Sequence, residues 1–375
     1  MRVGILGGGQ LGWMTILEGR KLGFEFFVLD PDPKAPASRI ADRWFSPEEA
    51  EDFIKACHVI TYEFEHIEED ILEKVYDLTT PSLNVLELKR SRIREKEFYR
   101  KAGYPTPEFV VAKWEDLKEK VQSFGFPCVV KAERLGYDGK GQYRVYYKED
   151  VENIIKNHSP GEGFLIERLI DFSFEFSLIG VRDTKGNARL YPITINHHEN
   201  GILLYNSTRQ FQLKEAEDIV FSLMESLNLV GLLAVEFFYT WDGKVLINEF
   251  APRPHNTGHY SLDGCYTSQF ENLIRAICGM PLGSTRLKAP SGMVNILGLS
   301  LEDMDLNALL SIEGTKLYWY GKEKKPRRKM GHINLVANTL IKTFPSHVLK
   351  NSTARSPTKI RLSIREKTIS SASFS

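Results

Sequence analysis

Two glutamates flank a predicted β-hairpin in the segment VGLLAVEFFYTWDGKVLINEF. The dipeptide Asp242-Gly243 is of the kind preferred in two-residue hairpin turns, and a turn there places Glu236 directly opposite Glu249. Facing side chains lie about 5 Å apart, so two carboxylates in these positions repel each other. Carboxylate oxygens suit Mg²⁺, which commonly also holds nucleotide phosphates. We predict that Mg²⁺ binds Glu236 and Glu249, with Asn248 as a further oxygen donor; exposed glutamates at the rim of the sheet are the alternative.

A proline-stiffened loop, APRPHNTGHY, follows the second of these strands. Each proline fixes its φ angle and removes a backbone donor, so the loop is neither helix nor central strand. Arg253 offers a fixed, charged fork for a carboxylate-like or phosphate oxyanion. His255 can move a proton near neutral pH, although an ordinary loop histidine is the alternative. Hairpin and loop together predict one wall of a ligase active site.

A lysine and a glycine-rich loop predict a second element that binds phosphates. The strand FGFPCVVKAE carries Lys131 near its end, and the loop RLGYDGKGQYRV follows it. Gly136, Gly139 and Gly141 leave the loop backbone free to fold over a phosphate chain, and Lys140 adds charge. No Gly-Lys-Ser/Thr opens a helix here, so this is not a Walker A motif. An ordinary glycine-containing hairpin is the alternative.

Two further acidic residues lie on strands around a short linker in GFLIERLIDFSFEFSLIGV. Glu167 ends the first strand, residues 168–170 form the linker, and the second strand is predicted to begin near Ser173. The linker backbone and the flanking side chains of Glu167 and Glu175 could read an adenine edge and a ribose hydroxyl, with Glu175 favoured for the ribose. By periodicity alone these are only strand residues.

The N-terminus places a glycine motif between a predicted strand, RVGIL, and a predicted helix. Gly7, Gly9 and Gly12 match G-x-G-x-x-G, and Asp30 ends the next strand, which predicts a Rossmann-like βαβ unit. Backbone amides at a helix N-terminus can bind an anion. NAD, another phosphate-bearing ligand and a tight structural turn are the three interpretations, and Gln10 at the tip favours a ligand other than a dinucleotide.

Two other segments could contact a substrate. Tyr62, Glu63 and Glu65 follow the predicted strand in HVITYEFEHI, at the end of the sheet where ligands bind; solvated loop charge is the alternative. The segment GKEKKPRRKM carries cations between Lys322 and Lys329, flanked by strand-like runs. It matches a nucleic-acid or localisation patch. We favour a turn that binds the phosphate of a small substrate, because the segment is isolated and lacks interleaved aromatic residues.

Length and composition limit the possibilities further. A chain of 375 residues is too long for one ordinary core, which predicts two or three domains. The formal net charge is zero, so no overall charge attracts nucleic acid or membrane. No apolar run reaches the roughly 18 residues that span a bilayer, and the N-terminus has no signal-peptide pattern. The four cysteines show no Cys-x-x-Cys spacing, which favours the reducing cytoplasm.

Taken together, these motifs resemble the 5-(carboxyamino)imidazole ribonucleotide synthases, a purine-biosynthesis family of the ATP-grasp superfamily. The matching segments are GGGQLG with the later DPDP, TYEFE, VVKAERLGYDGKGQ, YPITINHHENGIL, INEFAPRPHNTGHY and KKPRRKMGHIN. They occur in the family's order over residues 1–336. Related carboxylases and formate-using ligases share the ATP-grasp but differ in the proline loop and the basic turn.

The resemblance implies an α/β fold of three domains, with an α+β lid and a Rossmann-like N-terminal domain of the biotin-carboxylase type. We expect an N-terminal substrate domain at residues 1–95 and an ATP-grasp region at 96–281, with its lid near 107–175. A C-terminal completion would occupy 282–336. Residues 337–375 depart from the family, are rich in Ser, Thr, Lys and Arg, and are predicted to be disordered.

The same resemblance implies a site for each substrate. ATP would be bound by Arg92, Lys131, Gly136, Tyr137, Asp138, Gly139, Lys140, Gly141, Gln142, Glu167, Arg168, Leu169, Ile170, Glu175, His198, Asn248 and Glu249. Carboxylation would use Arg253, His255 and Lys329. The aminoimidazole ribonucleotide would contact Gln10, Leu11, Tyr62, Glu63, Lys322 and Arg328. One or two Mg²⁺ ions would bind Glu236 and Glu249, and the glycine motif would serve this substrate rather than NAD.

The implied reaction is the ATP- and bicarbonate-dependent carboxylation of 5-aminoimidazole ribonucleotide through carboxyphosphate. The enzyme would be a cytoplasmic homodimer with no nucleic-acid or membrane partner. Another ATP-grasp ligase, such as formate-dependent glycinamide ribonucleotide transformylase or a biotin-directed ligase, is the nearest alternative. An NAD-dependent oxidoreductase, supported only by the glycine motif, and a non-catalytic nucleotide-binding regulator are alternatives of other classes.

Overall fold

The N-terminal part of the chain forms a parallel sheet in the order β3-β2-β1-β4. The computed structural model describes residues 1–75, 78–134 and 141–337. The elements of this part are β1 (Arg2–Leu6), α1 (Gln10–Arg20), β2 (Glu25–Leu29), β3 (Arg43–Phe45), α2 (Ala50–Ala56), β4 (Val59–Tyr62), α3 (Glu69–Val75), α4 (Leu83–Lys89) and α5 (Arg92–Ala102). Both faces of the sheet are buried, as parallel sheets require. The predicted strand–helix–strand start is confirmed.

The lid is a separate antiparallel sheet in the order β5-β8-β6-β7. Its elements are β5 (Phe109–Lys113), α6 (Leu117–Phe124), β6 (Cys128–Ala132), β7 (Gln142–Val145), α7 (Lys148–Lys156) and β8 (Gly163–Arg168). Cys128, Val130 and Ile166 pack with apolar residues of α6 and α7 in one core. Because side chains alternate along a strand, Lys131 and Glu167 lie on the opposite face.

The largest sheet has the order β14-β13-β9-β11-β12-β15-β17-β16, and β10 pairs with β9. Its elements are β9 (Phe172–Arg182), β10 (Ala188–Leu190), β11 (Thr194–Glu199), β12 (Ile202–Thr208), α8 (Lys214–Ser226), β13 (Gly231–Thr240), β14 (Val245–Ala251), α9 (Ser261–Gly264), α10 (Gln269–Ile277), β15 (Ser291–Leu297), α11 (Leu306–Leu310), β16 (Thr315–Trp319) and β17 (Lys329–Val336). Helix α10 packs against both β13 and α1, so it joins this central sheet to the N-terminal unit.

The predicted domain boundaries stay predictions. Strands on both sides of the predicted boundary at residue 281 belong to one sheet, because β15, β16 and β17 extend the central sheet that begins with β9. The predicted disordered tail lies outside the described residues from 338 onward. None of the helices in the described part of the chain has the length and apolar character needed to cross a bilayer.

The turn between β13 and β14 is a correction to the predicted hairpin. The Thr240 N–H donates to the Lys244 carbonyl at 3.0 Å, so the loop contains Trp241, Asp242 and Gly243 rather than an Asp-Gly dipeptide alone. Gly243 has a φ of 84°, the left-handed conformation that the last position of such a loop adopts. The strand pairing next to this loop is therefore one residue away from the predicted register.

A β-bulge restores the predicted pairing of the two glutamates. Phe237 pairs with Ile247, whereas Glu236 pairs with Glu249, so Asn248 is the extra residue on β14. The predicted juxtaposition of Glu236 and Glu249 is confirmed, but it depends on the bulge and not on the turn.

Candidate active site

A lysine of the chain contacts the paired glutamates. Lys89, at the end of α4, places its Nζ 2.6 Å from Glu249 Oε2 and 3.0 Å from Glu95 Oε2. The sequence predicts a metal ion as the cation beside the Glu236–Glu249 pair. In the structure an ammonium group of the protein already offsets part of the repulsion between these carboxylates.

The two glutamates differ in how readily they ionise. Burial opposes ionisation of Glu249, but Lys89 and Arg92 hold its pKa below its ordinary value. Burial raises the pKa of Glu236; His198 opposes this shift and the negative charge of Glu249 adds to it. Glu249 therefore keeps its negative charge, whereas Glu236 gives up its proton less readily than an ordinary glutamate.

A cluster of cations lies between the lid and the central sheet. Lys131 Nζ is 2.5 Å from Glu167 Oε2 and 3.4 Å from Asn248 Oδ1. Lys96 Nζ is 2.8 Å from Glu167 Oε1, and Arg92 donates to the Ala132 carbonyl at 3.0 Å. The cavity at this place is lined by Arg92, Glu95, Lys96, Lys131, Gln142, Leu165, Asn248 and Glu249. This concentration of positive charge suits a polyphosphate chain.

The side chains of Glu167 and Arg168 both form ion pairs within the protein. Both carboxylate oxygens of Glu167 are held by lysines in a buried site, and its pKa is lowered to about 2 because Lys131 and Lys96 outweigh burial. The Arg168 side chain contacts Glu108 at 3.1 Å and lies over the Phe124 ring on the other face of the lid. The predicted contacts of Glu167 and Arg168 with ATP stay predictions, and their side chains are paired within the protein.

Glu175 and His198 form a pair on neighbouring strands. Glu175 Oε2 lies 2.9 Å from His198 Nδ1, and a register irregularity in β11 falls immediately before His198. Burial opposes protonation of His198, but the hydrogen bond to Glu175 and the charge of Glu236 raise its pKa. Two predicted nucleotide contacts thus lie beside the predicted metal ligand Glu236.

The proline loop holds His255 next to the same glutamate. His255 Nε2 is 3.8 Å from Glu236 Oε1, and His255 Nδ1 is 2.8 Å from the Thr257 hydroxyl. The Gln269 side chain accepts from the His255 N–H at 3.0 Å and donates to its carbonyl at 2.7 Å. Burial and then the charge of Arg253 lower the pKa of His255 well below its ordinary value. The imidazole is therefore neutral near neutral pH.

Arg253 and Lys329 complete the predicted carboxylation residues. Arg253 Nη2 lies 2.8 Å from Glu65 Oε1, so the arginine is paired with the loop after β4. Lys329 begins β17, and its charge acts on both His255 and His198. The charges of Arg253 and Lys329 both act on His255, so these three residues lie near one another.

The glycine motif at the start of α1 is occupied by carboxylates of the chain. Glu63 accepts hydrogen bonds from the N–H groups of Gly9 and Gly12, the latter at 2.8 Å. Asp30 Oδ2 accepts from the Gly8 N–H at 2.6 Å. These amides are the donors that a dinucleotide pyrophosphate would need. The alternative of solvated loop charge for Glu63 is wrong, since this residue is buried.

The side chains of Tyr62 and Leu11, two predicted substrate contacts, pack in apolar clusters of the protein. Tyr62 is 1% exposed and its ring packs in the N-terminal core, because it ends a strand whose faces are both covered. The Leu11 side chain packs with Met14, Phe270 and Tyr320. The predicted contacts of Tyr62 and Leu11 with substrate stay predictions, and both side chains are buried. Gln10, by contrast, accepts a hydrogen bond from Lys322.

The basic segment joins β16 to β17, as predicted, and part of its charge is paired. Lys324 contacts Asp303 at 2.6 Å, Lys325 contacts Glu323 at 3.3 Å, and Arg327 donates to the Asn200 carbonyl at 2.9 Å. Arg328 donates to the Glu323 carbonyl at 3.1 Å and is partly buried. The segment is therefore a structured turn against the central sheet.

Two buried histidines lie behind this turn. The His332 ring stacks on Tyr318 with centroids 4.5 Å apart, lies 4.6 Å from the His259 ring, and has its Nδ1 2.7 Å from the Tyr320 hydroxyl. Burial lowers the pKa of His332 to about 3 and that of His259 well below its ordinary value. Both rings are neutral in the folded protein.

The buried His332 makes stability depend on pH. Below pH 6.5 the unfolded chain protonates this ring and the folded chain does not, so the free energy of unfolding falls as pH falls. In the wild type, His332 should lower the free energy of unfolding by about 1.4 kcal/mol when the pH falls from 7.5 to 5.5. The His332→Phe variant should lack this contribution. Urea unfolding at both pH values measures this. The exposed His197, which stacks on Tyr205, provides the control His197→Phe; equal pH dependence in wild type and His332→Phe would contradict the assignment.

Comparison with known proteins gives a consistent result along the chain. Family models described as the ribonucleotide synthetase preATP-grasp domain, the ATP-grasp domain and the phosphoribosylaminoimidazole carboxylase C-terminal domain match residues 1–86, 97–270 and 291–343. N5-carboxyaminoimidazole ribonucleotide synthase of Aquifex aeolicus is 58% identical over 339 residues, which are 90% of this chain and 93% of that protein. The chain belongs to the N5-carboxyaminoimidazole ribonucleotide synthase family.

Solved structures of N5-carboxyaminoimidazole ribonucleotide synthases have the same fold. The phosphoribosylaminoimidazole carboxylase ATPase subunit of Aquifex aeolicus superposes with a TM-score of 0.80 at 54% identity, covering 90% of this chain and 95% of that one. The Aspergillus clavatus enzyme, in complex with ADP and 5-aminoimidazole ribonucleotide, has a TM-score of 0.82 at 29% identity, covering 90% and 94%. The predicted α/β ATP-grasp fold is confirmed.

Membership in the N5-carboxyaminoimidazole ribonucleotide synthase family makes the chain an ATP-binding, ATP-dependent ligase of purine biosynthesis that forms a carbon–nitrogen bond. The NAD-dependent oxidoreductase is therefore wrong, and the carboxylates on the glycine motif give the physical reason. Two residues near the site were not predicted to act there: Lys89 and Lys96, which lie in the helical connector before the lid. The sequence analysis places Glu65 at the ligand-binding end of the sheet, but it does not predict the pairing of Glu65 with Arg253.

Part of the predicted nucleotide site lies outside the described residues. Gly136, Tyr137, Asp138, Gly139 and Lys140 belong to that part. On either side of it, Lys131 pairs with Gln142 in the β6–β7 ladder, and the Ala132 N–H donates to the Gly141 carbonyl at 2.8 Å.

Proposed function

We propose that the chain carboxylates the amine of 5-aminoimidazole ribonucleotide with bicarbonate, using ATP to form carboxyphosphate. The observation that carries the proposal is the meeting of two kinds of site at the β13–β14 hairpin. Lys131, Asn248 and Glu249 face the cationic cleft under the lid, and His255 contacts Glu236 on the same hairpin. A phosphoryl donor and a carboxyl acceptor bound at these places would be neighbours.

The ATP phosphates occupy the cationic cleft in this proposal. Arg92 and Lys131 offset the charge that builds on the phosphoryl oxygens, and Gln142 lines the cleft beside them. The backbone of residues 167–170 contacts the adenine. Glu175 and His198 bind near the ribose and phosphates, and Asn248 contributes its amide oxygen.

The residues at Glu236 and Glu249 fit a Mg²⁺ ion. Two facing carboxylates with the Asn248 amide nearby are the oxygen donors that this ion takes. Among the described residues no group of three or more histidine, cysteine or acidic side chains could hold a metal, so the nucleotide phosphates would complete the coordination. When bound, the ion neutralises charge on the transferred phosphoryl group.

The chemistry proceeds in two displacements. A bicarbonate oxygen attacks the γ-phosphorus of ATP, the bond to the β–γ bridging oxygen breaks, and ADP leaves, which gives carboxyphosphate. The amine of the ribonucleotide then attacks the carboxyl carbon, and phosphate leaves with the oxygen that bicarbonate supplied. Arg253 and Lys329 hold the carboxylate, and neutral His255 accepts the amine proton. Closure of the lid protects carboxyphosphate from water.

The ribonucleotide binds on the side of the N-terminal sheet. Gln10 and Lys322 contact each other and span the start of α1 and the basic turn, and Glu63 lies beside them on the glycine motif. Lys322 and Arg328 supply positive charge for the 5′-phosphate, while Glu63 accepts a hydrogen bond from the substrate. The protein acts as a homodimer in the cytoplasm; light scattering of purified protein measures the dimer.

Phosphate release with each substrate omitted in turn tests the function. Phosphate should appear at the full rate only when ATP, bicarbonate and 5-aminoimidazole ribonucleotide are all present. Formate in place of bicarbonate and glycinamide ribonucleotide in place of the aminoimidazole form the matched control. Full activity with formate and glycinamide ribonucleotide would overturn the proposal in favour of the transformylase.

A further inference from the structure

The ammonium of Lys89 is anchored on one carboxylate and reaches a second. Glu95 Oε1 accepts hydrogen bonds from the Tyr99 hydroxyl at 2.7 Å and from the Phe250 N–H at 2.9 Å, so this buried carboxylate is fixed in place. Its other oxygen lies 3.0 Å from Lys89 Nζ, which in turn lies 2.6 Å from Glu249.

Glu249 differs from Glu95 in facing the cleft. Its side chain is 40% exposed, against 2% for Glu95 and 11% for Lys89. The lysine is thus a nearly buried positive charge fixed on the protein side of Glu249, while the cleft side of Glu249 is where the nucleotide would bind. Glu236, across the hairpin, is also influenced by the charge of Lys89.

We propose that Lys89 is a resident counter-cation of the Glu236–Glu249 pair, so that this pair takes up a divalent ion only together with nucleotide phosphates. The inference rests on the proposed function through its assignment of Glu236 and Glu249 as metal ligands. A fixed positive charge beside Glu249 repels a free divalent ion at short range. The phosphates of the nucleotide bring the negative charge that offsets this repulsion.

The small number of acidic ligands in the described residues agrees with this role. Glu236 and Glu249, with Lys89 fixed on Glu249, form a weak site for a free ion, whereas the same two carboxylates with phosphate oxygens form a strong one. Lys89 is in this sense a positioning residue, which contacts Glu249 and not the reacting atoms. It would prevent the enzyme from holding metal without nucleotide.

Binding of Mn²⁺ followed by electron paramagnetic resonance tests the inference, with Mn²⁺ alone and with Mn²⁺ plus ADP. The variant is Lys89→Met combined with Glu95→Gln, which removes the two opposite charges together and leaves no unpaired buried carboxylate at position 95. We expect the double variant to bind Mn²⁺ about tenfold more tightly than wild type without nucleotide. With ADP present the ratio should be much smaller.

Three controls separate this inference from the metal assignment. Glu95→Gln alone should bind Mn²⁺ without nucleotide no more tightly than wild type, and Lys118→Met, which removes an exposed lysine paired with Glu152, should match wild type. Glu249→Gln should lose Mn²⁺ binding in the presence of ADP. If Glu249→Gln loses this binding, the metal assignment holds. In that case, Mn²⁺ binding by the double variant that is no tighter than wild type without nucleotide would overturn only the role proposed for Lys89. If Glu249→Gln binds Mn²⁺ with ADP as wild type does, both proposals are wrong.

Discussion

The Glu249→Gln variant is expected to form ADP at least about 100-fold more slowly than wild type. Glutamine keeps the shape of the side chain but removes its negative charge. The site would lose the ionised member of the Glu236–Glu249 pair, and Lys89 would lose its partner in the cleft. The measurement is ADP formation with saturating bicarbonate and ribonucleotide over a series of Mg²⁺ concentrations.

The control for this variant removes a glutamate of the same kind from an exposed surface. Glu225 lies on an exposed part of α8, so Glu225→Gln should form ADP at the wild-type rate. Thermal unfolding of both variants shows whether the fold is kept. A rate near that of wild type for Glu249→Gln would show that this carboxylate does not hold the metal.

The His255→Ala variant should lose about 10²–10⁴-fold in the rate of carboxylated product while its folded state persists. His255 Nε2 faces Glu236, and the Gln269 side chain holds the His255 backbone independently of the ring, so removal of the ring takes away a proton acceptor more than a packing element. ADP formation should fall less than product formation, since His255 acts after phosphoryl transfer. Parallel assays of ADP and product give this ratio.

In Lys329→Ala, product formation should also fall more than ADP formation. Lys329→Arg, which keeps the charge, should restore part of the product formed per ADP.

Because burial and Arg253 lower the pKa of His255, its ring is neutral through the range from pH 6 to pH 8, and product formation should not decline there through protonation of this residue. Equal losses of ADP and product in His255→Ala would contradict a role confined to carboxylation.

The sequence predicts the main juxtaposition of the site, although by an incomplete route. Local turn rules identified the β13–β14 hairpin and the facing of Glu236 and Glu249. Those rules gave a turn of the wrong length, and the bulge at Asn248 compensated for it. A bulge has no reliable local signature, because it depends on how the strand meets the lid and on the lysine that contacts Asn248.

The buried charges of the connector could not be assigned from the sequence in the same way. Arg92, Glu95, Lys96 and Tyr99 recur at the spacing of one helix face, and all four are buried on α5. Charged residues in this pattern normally indicate a solvated face. Their burial depends on partners that come from distant strands, such as Glu167 for Lys96.

The N-terminal glycine motif shows the opposite case, in which a local signal is correct about structure and ambiguous about ligand. The strand, the helix and the strand that follows lie where the motif predicts. The identity of the bound anion depends on Glu63, which lies more than fifty positions away in sequence and supplies a carboxylate to the Gly9 and Gly12 amides. Only the folded arrangement excludes a dinucleotide at these amides.

Transfer of ¹⁸O from labelled bicarbonate to phosphate tests the central claim most directly. If a bicarbonate oxygen attacks the γ-phosphorus and the carbon–oxygen bond later breaks, the phosphate released during turnover carries one ¹⁸O atom from bicarbonate. Mass spectrometry of phosphate from reactions that also contain ATP and 5-aminoimidazole ribonucleotide should show this label. Phosphate without ¹⁸O, formed at the same rate as the carboxylated product, would contradict the carboxyphosphate route.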